Sequence, residues 1–192
     1  RGNQIFDYKH SAGTGSSTHG GQRTWRSQFE MKVGLISDTH SAGSGQDLPK
    51  QVFQALAGVD LILHCGDLEC LGVLDYLETV SPVLAVRGYE DPTEPGDRLA
   101  DTTRVVQADG VSIGMIHDIQ WPGPRIPTTP NGEGLCFPQG SGRELLARKF
   151  GQPVDLVIFG DTHYELVCYY DGLLLINPGS ATYPARRPGA GR

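Results

Sequence analysis

Acidic and imidazole side chains recur where apolar segments of this chain end. They are Asp38, His40, Asp67, His117, Asp161 and His163. A single Asp-x-His pair carries little information, but four apolar segments that end in this way are not expected by chance. Because carboxylate and imidazole groups are common ligands of divalent cations, the pattern indicates a metal centre built from several parts of the chain.

The apolar segments themselves predict the strands that would bring these groups together. They cover residues 33–36, 61–64, 111–116 and 154–159, and none has helical spacing. Parallel strands that are covered on both faces give continuous apolar runs of this kind. Since an open α/β sheet binds ligands at the carboxyl ends of its strands, the side chains after the runs are expected to meet there.

The segments between these runs predict the remaining elements. Asp47 is a candidate N-cap of a first helix, with Pro49 in its first turn and Gly58 just past its end. Further helices are predicted over 71–78 and 143–150, and a third parallel strand over 83–86. Residues 103–116 are typical of a hairpin with a turn at 109–110, and strands are expected over 166–170 and 173–176.

At these motifs the chain resembles the calcineurin-like metallophosphoesterases, and within them the small bacterial and archaeal phosphodiesterases and the retromer subunit that shares their fold. The resemblance extends from Met31 to about Pro184. It implies an α/β sandwich of two mixed β-sheets flanked by helices, with a metal site at the carboxyl ends of strands. Residues 31–192 are expected to form one such domain, with the strands that follow the Asn177–Ser180 turn in the family missing or diverged.

The resemblance also implies roles for most of the acidic and imidazole residues. Asp38, His40 and His163 would ligate a first metal ion. His117 would ligate a second ion, and Asp67 would bridge the two. Together they would hold two divalent ions, manganese being the first expectation and magnesium, iron, nickel or zinc the alternatives.

Two positions depart from the family pattern. Where the family has Gly-Asn, this chain has Gly88-Tyr89, so the amide ligand of the second metal is lost. Asp161 stands where the family has the first histidine of Gly-His-x-His; it can still reach a metal and would favour harder ions. Tyr89 could bind a metal as a phenolate, stack on a substrate or fill the second site. Glu90 or Asp91 could instead replace the lost amide ligand.

The function implied by the resemblance is hydrolysis of a phosphodiester or phosphomonoester through attack by a metal-bridging hydroxide. A small phosphate ester would be the substrate. Beside these motifs, Arg87 is a candidate for contact with the substrate phosphate or for a surface salt bridge, and Tyr89 is a candidate for contact with the substrate. His64 is expected to orient a neighbour or to pack in the core. The alternative is a non-catalytic or mononuclear protein of the same fold that acts as an interaction scaffold, as the retromer subunit does.

Composition restricts the partners and the compartment. The net charge of −6 and the absence of a long basic run argue against nucleic acid, and no apolar stretch is long enough to cross a membrane. Four cysteines without paired spacing indicate reduced, buried thiols in a cytoplasmic protein. Residues 1–30 are expected to be a disordered or non-native leader. The Pro- and Gly-rich insertion 119–142 is a candidate lid or partner site, because its apolar residues at 121, 126, 135 and 137 are expected to be exposed.

Overall fold

A computed structural model describes residues 5–7, 31–93, 98–99, 101–130, 134–137, 140–170 and 172–185, and this part of the chain contains nine strands and three helices. The strands are β1 (Ile5–Asp7), β2 (Val33–Ile36), β3 (Leu61–His64), β4 (Val83–Ala85), β5 (Thr103–Ala108), β6 (Val111–Ile116), β7 (Leu156–Ile158), β8 (Glu165–Tyr170) and β9 (Leu173–Pro178). The helices are α1 (Lys50–Leu56), α2 (Gly72–Leu77) and α3 (Gly142–Phe150).

The strands form the two sheets expected from the sequence. One sheet has the order β2-β3-β4, and its strands are all parallel. The other has the order β1-β5-β6-β7-β9-β8 and mixes parallel and antiparallel pairs. The fold is therefore the α/β sandwich that was predicted, except that the smaller sheet is parallel across its described strands.

Apolar side chains fill three layers around the two sheets. Leu61 and Leu63 of β3 are fully buried against Met115 of β6 and Ile158 of β7, which places one cluster between the sheets. A second cluster covers the small sheet with α1 and α2, and a third covers the large sheet with α3 through Phe150. Strand β3 is thus buried on both faces, which explains its continuous apolar sequence.

The start of α1 differs from the prediction. The helix begins at Lys50, with Pro49 at the N-cap position and no side-chain capping hydrogen bond. Asp47 lies in the preceding turn, where its carboxylate accepts a hydrogen bond from the Ser41 hydroxyl. The prediction of Asp47 as an N-cap was therefore wrong, because its carboxylate ties the turn to the loop after β2 instead.

The described part of the insertion 119–142 is packed on the domain. Ile126 is 2% exposed and Phe137 is 5% exposed, and both belong to the cluster beneath α3. Lys149 Nζ donates a hydrogen bond to the Pro122 carbonyl at 2.7 Å, and Tyr170 Oη donates one to the Phe137 carbonyl at 2.9 Å. The expectation that these apolar residues face solvent was wrong for Ile126 and Phe137, whose burial anchors the loop.

Two further expectations change in the structure. Ile5–Asp7 of the expected leader form β1 and pair in parallel with β5, while the rest of residues 1–30 lies outside the described residues. All four cysteines are free, but Cys136 is exposed and only Cys65 is fully buried. Among the helices of the described residues, none has the length and hydrophobicity needed to cross a bilayer.

Candidate metal centre

Five of the six predicted ligands converge at the carboxyl ends of β2, β3, β6 and β7. Two groups of side chains each bring their ligand atoms within 4.8 Å of one another. The first consists of Asp38, His40 and His163, and the second of Asp38, Asp67 and His117. Because Asp38 belongs to both groups, the arrangement can hold two neighbouring cations. The Asp161 side chain belongs to neither group, although its backbone N–H donates a hydrogen bond to Asp38 Oδ1 at 3.0 Å.

Asp67 also lies between the two groups. Its Oδ2 atom is 3.2 Å from His117 Nε2 and 3.9 Å from His40 Nε2. Its other oxygen accepts a hydrogen bond from the Glu90 backbone N–H at 2.8 Å. Asp67 thus lies within reach of both groups, and its role as a bridge between two ions stays a prediction.

Three short turns of the same backbone form carry these residues. The turns are Asp38-Thr39-His40, Asp67-Leu68-Glu69 and Asp161-Thr162-His163. In each turn the first and third residues have positive φ, between 41° and 67°. Non-glycine residues rarely adopt this conformation, and clusters of it are typical of functional sites. The repeated geometry explains how side chains two residues apart, such as Asp38 and His40, reach the same space.

Each metal-facing histidine is oriented by an acceptor on its far side. His117 Nδ1 donates to the Cys65 carbonyl at 2.8 Å, and His163 Nδ1 donates to the Tyr183 carbonyl at 2.8 Å. His40 Nδ1 lies 3.1 Å from the Glu69 carboxylate. Since these oxygens accept hydrogen bonds, the Nδ1 atom of each ring carries the proton and Nε2 presents its lone pair to the centre.

The potential ligand atoms face one another across the centre. His40 Nε2 and His163 Nε2 lie 3.2 Å apart, and both are acceptors in this orientation. Asp38 Oδ2 is buried without a hydrogen-bond partner, and the buried His117 Nε2 has the Asp67 carboxylate 3.2 Å away. Buried lone pairs that face one another cost free energy unless a proton or a cation lies between them. The donor set therefore fits divalent metal ions.

Electrostatics in the protein alone place a proton where the second ion would bind. Burial raises the pKa of Asp38, although the Ser37 hydroxyl and the charges of His117 and His163 oppose this. Burial lowers the pKa of His117, but contact with the Asp67 carboxylate outweighs it and raises this pKa to about 9. Burial likewise opposes ionisation of Asp67, whose pKa is nevertheless lowered by His117 and the Glu90 amide. A cation at this position must therefore displace the proton from His117.

Tyr89 borders the second group without entering it. Its hydroxyl donates a hydrogen bond to Asp118 Oδ2 at 2.6 Å, and its ring stands edge-on to His117 with centroids 5.4 Å apart. The bond to Asp118 raises the pKa of Tyr89 to about 12, so a phenolate ligand is disfavoured at neutral pH. Since the side chain is 60% exposed, it does not fill the space of the second ion either. Of the roles left open by the sequence, contact with a substrate remains.

Asp91 has a structural role that the sequence did not reveal. Its carboxylate accepts hydrogen bonds from the backbone N–H groups of Asp67, Leu68, Glu69 and Gly88, at 2.7–3.0 Å. The residue is 7% exposed, and these bonds hold the loops after β3 and β4 together. The hypothesis that Asp91 replaces the lost amide ligand was therefore wrong, because both of its oxygens are already occupied.

The Asn177–Ser180 turn holds the backbone of Asp38 and of Gly160. Ser180 Oγ donates to the Asp38 carbonyl at 2.6 Å, and Asn177 Nδ2 donates to the Gly160 carbonyl at 2.7 Å. The sequence identified this segment as a turn but gave no sign that it supports the metal centre. Glu69 was missed as well, since its contact with His40 depends on the positive φ of both residues.

Two further residues were singled out by the sequence. His64 is fully buried, and its nitrogens are hydrogen-bonded to the Gly66 amide and the Thr39 hydroxyl, each at 3.1 Å. Burial lowers the pKa of His64 to about 3, so it is a neutral core histidine that orients its neighbours. Arg87 follows β4, and its backbone N–H donates to the Asp101 carbonyl. Its contact with a substrate stays a prediction.

Comparison with known proteins settles the family. Residues 31–191 match the calcineurin-like phosphoesterase superfamily domain. The chain belongs to this superfamily. A probable metallophosphoesterase from Methanocaldococcus jannaschii is 34% identical over 155 residues, which cover 80% of this chain and 70% of the relative. Another from Methanothermobacter thermautotrophicus is 31% identical, with 80% and 79% covered. A phosphodiesterase from Methanocaldococcus jannaschii is 26% identical over 157 residues, with 78% and 83% covered.

Solved structures of this superfamily domain have the same fold as the chain. Wild-type Vps29 from Entamoeba histolytica in complex with zinc superposes with a TM-score of 0.57 at 26% identity, covering 79% of this chain and 76% of that one. An archaeal phosphodiesterase superposes with a TM-score of 0.53 at 22% identity, covering 79% and 86%. The predicted α/β sandwich is confirmed, and these neighbours include both phosphodiesterase and Vps29 structures.

Proposed function

We propose that this metallophosphoesterase hydrolyses phosphodiesters of small molecules at a centre of two divalent ions. The observation that carries the proposal is the pair of ligand groups that share Asp38, in which the Nε2 atoms of His40, His117 and His163 face other potential ligand atoms. The phosphodiesterase named among the relatives supports the same reaction class. Phosphate esters need cations to neutralise the phosphoryl oxygens, and two bound ions would do this while ionising a water molecule as the nucleophile.

Carboxylates around the centre favour diesters over monoesters. Asp38 and Asp67 offset two of the four positive charges that two divalent ions would bring. Asp161 and Asp118 lie close enough to interact with each other electrostatically, and Asp161 also interacts with Asp38 and Asp67. A phosphodiester carries one negative charge and an ionised phosphomonoester carries two, so the acidic surroundings penalise the monoester more. The same carboxylates support manganese as the expected ion, since oxygen ligands suit harder cations.

The side chains of this protein would set the geometry of the reaction. Hydrogen bonds from Nδ1 fix the rings of His40, His117 and His163, so their ligand atoms need no reorientation. The Asp161 amide holds one oxygen of the buried Asp38 carboxylate and leaves Oδ2 for a cation. Such preorganised surroundings lower the cost of stabilising charge in the transition state.

The alternative is an interaction scaffold that binds metal without turnover. Two observations favour it: the similarity to Vps29, and the replacement of the second-metal amide by Tyr89. Against it, His117 and His163 are retained and correctly oriented. A scaffold would place its function on the surface of the domain and leave the metal centre without a substrate. Location in the cytoplasm is part of either proposal.

A direct assay separates the two functions. The protein is loaded with manganese and incubated with bis(p-nitrophenyl) phosphate or p-nitrophenyl phosphate, before and after addition of a chelator. We expect chelator-sensitive turnover with a higher kcat/KM for the diester, and its loss in His163→Ala and His117→Ala. Tyr169→Ala, which alters an exposed residue of β8, is the matched control and should retain activity. Metal binding without turnover of either ester would refute the hydrolase and support the scaffold.

A further inference from the structure

Two exposed tyrosines border the metal centre, one beside each ligand group. Tyr183 is 61% exposed, and its ring stands edge-on to His40 with centroids 5.8 Å apart. Tyr89 is 60% exposed and stands edge-on to His117 at 5.4 Å. Since His40 and His117 belong to different groups that share Asp38, each tyrosine stands beside a different ligand group.

Both tyrosines are held in place by the machinery of the site. The Tyr89 hydroxyl is fixed by Asp118, whose other oxygen accepts a hydrogen bond from the Gln120 amide at 2.6 Å. The Tyr183 amide donates to Ser180 Oγ at 2.9 Å, and its carbonyl accepts the Nδ1 proton of His163. The Tyr89 ring is therefore fixed through its hydroxyl, and the backbone of Tyr183 is fixed beside a ligand histidine.

Packing does not account for these rings. With more than half of each side chain in solvent, neither contributes to the buried clusters of the domain. Large aromatic groups left exposed beside a set of charged ligands offer flat apolar surface to whatever binds there. A group esterified to a phosphate at the centre would extend over these rings. Every nucleobase has an apolar face, so any of them can stack on a tyrosine ring.

We infer that Tyr89 and Tyr183 form a binding site for the nucleobase of a small phosphodiester substrate. The inference rests on the proposed function and names its substrate class. The net charge of −6 disfavours a long polynucleotide, which needs a basic surface along its backbone. The substrate is therefore a small nucleotide diester, in which the phosphate lies at the metal centre and the base lies against the tyrosines.

The test compares two substrates with the same leaving group. Thymidine 5′-(p-nitrophenyl phosphate) and methyl p-nitrophenyl phosphate both release p-nitrophenolate, so the ratio of their kcat/KM values isolates recognition of the nucleoside. We expect the manganese-loaded protein to favour the nucleoside ester, and Tyr89→Ala and Tyr183→Ala each to lower the ratio by roughly fivefold or more, the weaker end of base stacking. Tyr183→Phe keeps the ring and the backbone contacts of this residue, and should keep the ratio. Tyr169→Ala is the exposed-tyrosine control.

A binding measurement keeps the inference testable if the protein has no turnover. Calorimetric titration of the manganese-loaded chain with thymidine 5′-phosphate and with methyl phosphate should give tighter binding of the nucleotide, and each alanine variant should remove the difference. Turnover of the methyl ester with an unchanged ratio in both variants would overturn the nucleobase site and leave the proposed function intact. Absence of turnover together with equal binding of the two phosphates would overturn both.

Discussion

Position 89 shows how one residue alters a metal site without disturbing the loop that carries it. The family has an amide ligand there, whereas Tyr89 in this chain turns its hydroxyl to Asp118 and its ring edge to His117. The backbone around it is held by the Asp91 carboxylate, which accepts hydrogen bonds from four backbone amides. None of these bonds involves the side chain of residue 89. A second ion would thus have the carboxylates of Asp38 and Asp67 and the imidazole of His117 as its candidate ligands among the described residues.

Tyr89→Asn should strengthen binding of the second ion. The amide oxygen would restore the ligand that the family uses, and we expect roughly tenfold tighter binding, the lower end of what one partner in a metal site contributes. Calorimetric titration with manganese and metal analysis after gel filtration would measure the affinity and the stoichiometry. Tyr89→Ala removes the ring without supplying a ligand and is the control. Equal affinity in the two variants would contradict the assignment of this position to the second site.

The affinity for the second ion should depend on pH through His117. Its pKa of about 9 means that the ring holds a proton at neutral pH, and a cation must displace this proton. Affinity should therefore rise about tenfold per pH unit as the pH increases toward 9, and level off above it. Titrations in buffers of different ionisation enthalpy would count the protons released. His117→Ala should abolish this dependence, and a flat profile in the parent protein would show that the ring is neutral before metal binds.

At the scale of elements, the loops after β2 and β7 meet so closely that glycine is required between them. A Cβ atom on Gly160 would overlap Ser37 Oγ and would lie 2.6 Å from Asp38 Oδ2. The backbone of the loop after β7 therefore lies in contact with the side chains of Ser37 and Asp38 in the loop after β2. This approach is what allows the Asp161 amide to reach the Asp38 carboxylate.

Gly160→Ala should impair both metal sites at once. The added methyl group displaces Asp38, which belongs to both ligand groups, so we expect at least about a tenfold loss in affinity for each ion. Gly43→Ala is the matched control, because its Cβ would meet only Asp47 Oδ1 at 3.5 Å, an ordinary contact. Manganese titration of both variants, with circular dichroism to verify folding, makes the comparison. Unchanged metal affinity in a folded Gly160→Ala protein would show that the loop after β7 does not hold Asp38 in position.

The elements were largely predictable because each has a local signal. The strand runs at 33–36, 61–64 and 111–116 match β2, β3 and β6, and their terminal Asp and His residues meet as expected. Contacts set by tertiary packing were not predictable. The four amide bonds of Asp91 join loops about 20 residues apart in sequence, and the burial of Ile126 and Phe137 depends on α3. Asp161 was expected at the metal from its place in the motif, but only its backbone N–H contacts Asp38.

At the scale of the molecule, the metal centre lies where the two sheets meet, so bound ions should stabilise the whole domain. The ligands come from loops of both sheets: Asp38, His40 and Asp67 from the smaller one, His117 and His163 from the larger one. An ion that binds only the folded chain adds its binding free energy to stability. The protein without metal instead carries the cost of a buried carboxylate at Asp38.

Chelation should lower the melting temperature of the parent protein. At an ion concentration 100 times the dissociation constant, one site contributes about 2.7 kcal/mol, which corresponds to a shift of roughly 5–10 °C for a domain of this size. Asp38→Asn should remove this shift. Because burial raises the pKa of Asp38, its ionised form destabilises the folded state above that pKa, so the variant should melt no lower than the chelated parent protein. Calorimetric scans with and without chelator measure both effects, and a chelator-sensitive Asp38→Asn protein would contradict them.

The amide bonds of Asp91 have a consequence for how such a domain diversifies. Because Asp91 bonds to backbone amides, the loop is held without the side chains of residues 89 and 90, and these can mutate while the loop keeps its form. Descendants of one ancestral hydrolase can therefore exchange residue 89 in single steps, gaining or losing a ligand while the chain continues to fold. A site with this freedom provides a short route between catalysts of different selectivity, and between a catalyst and a protein that has given up turnover.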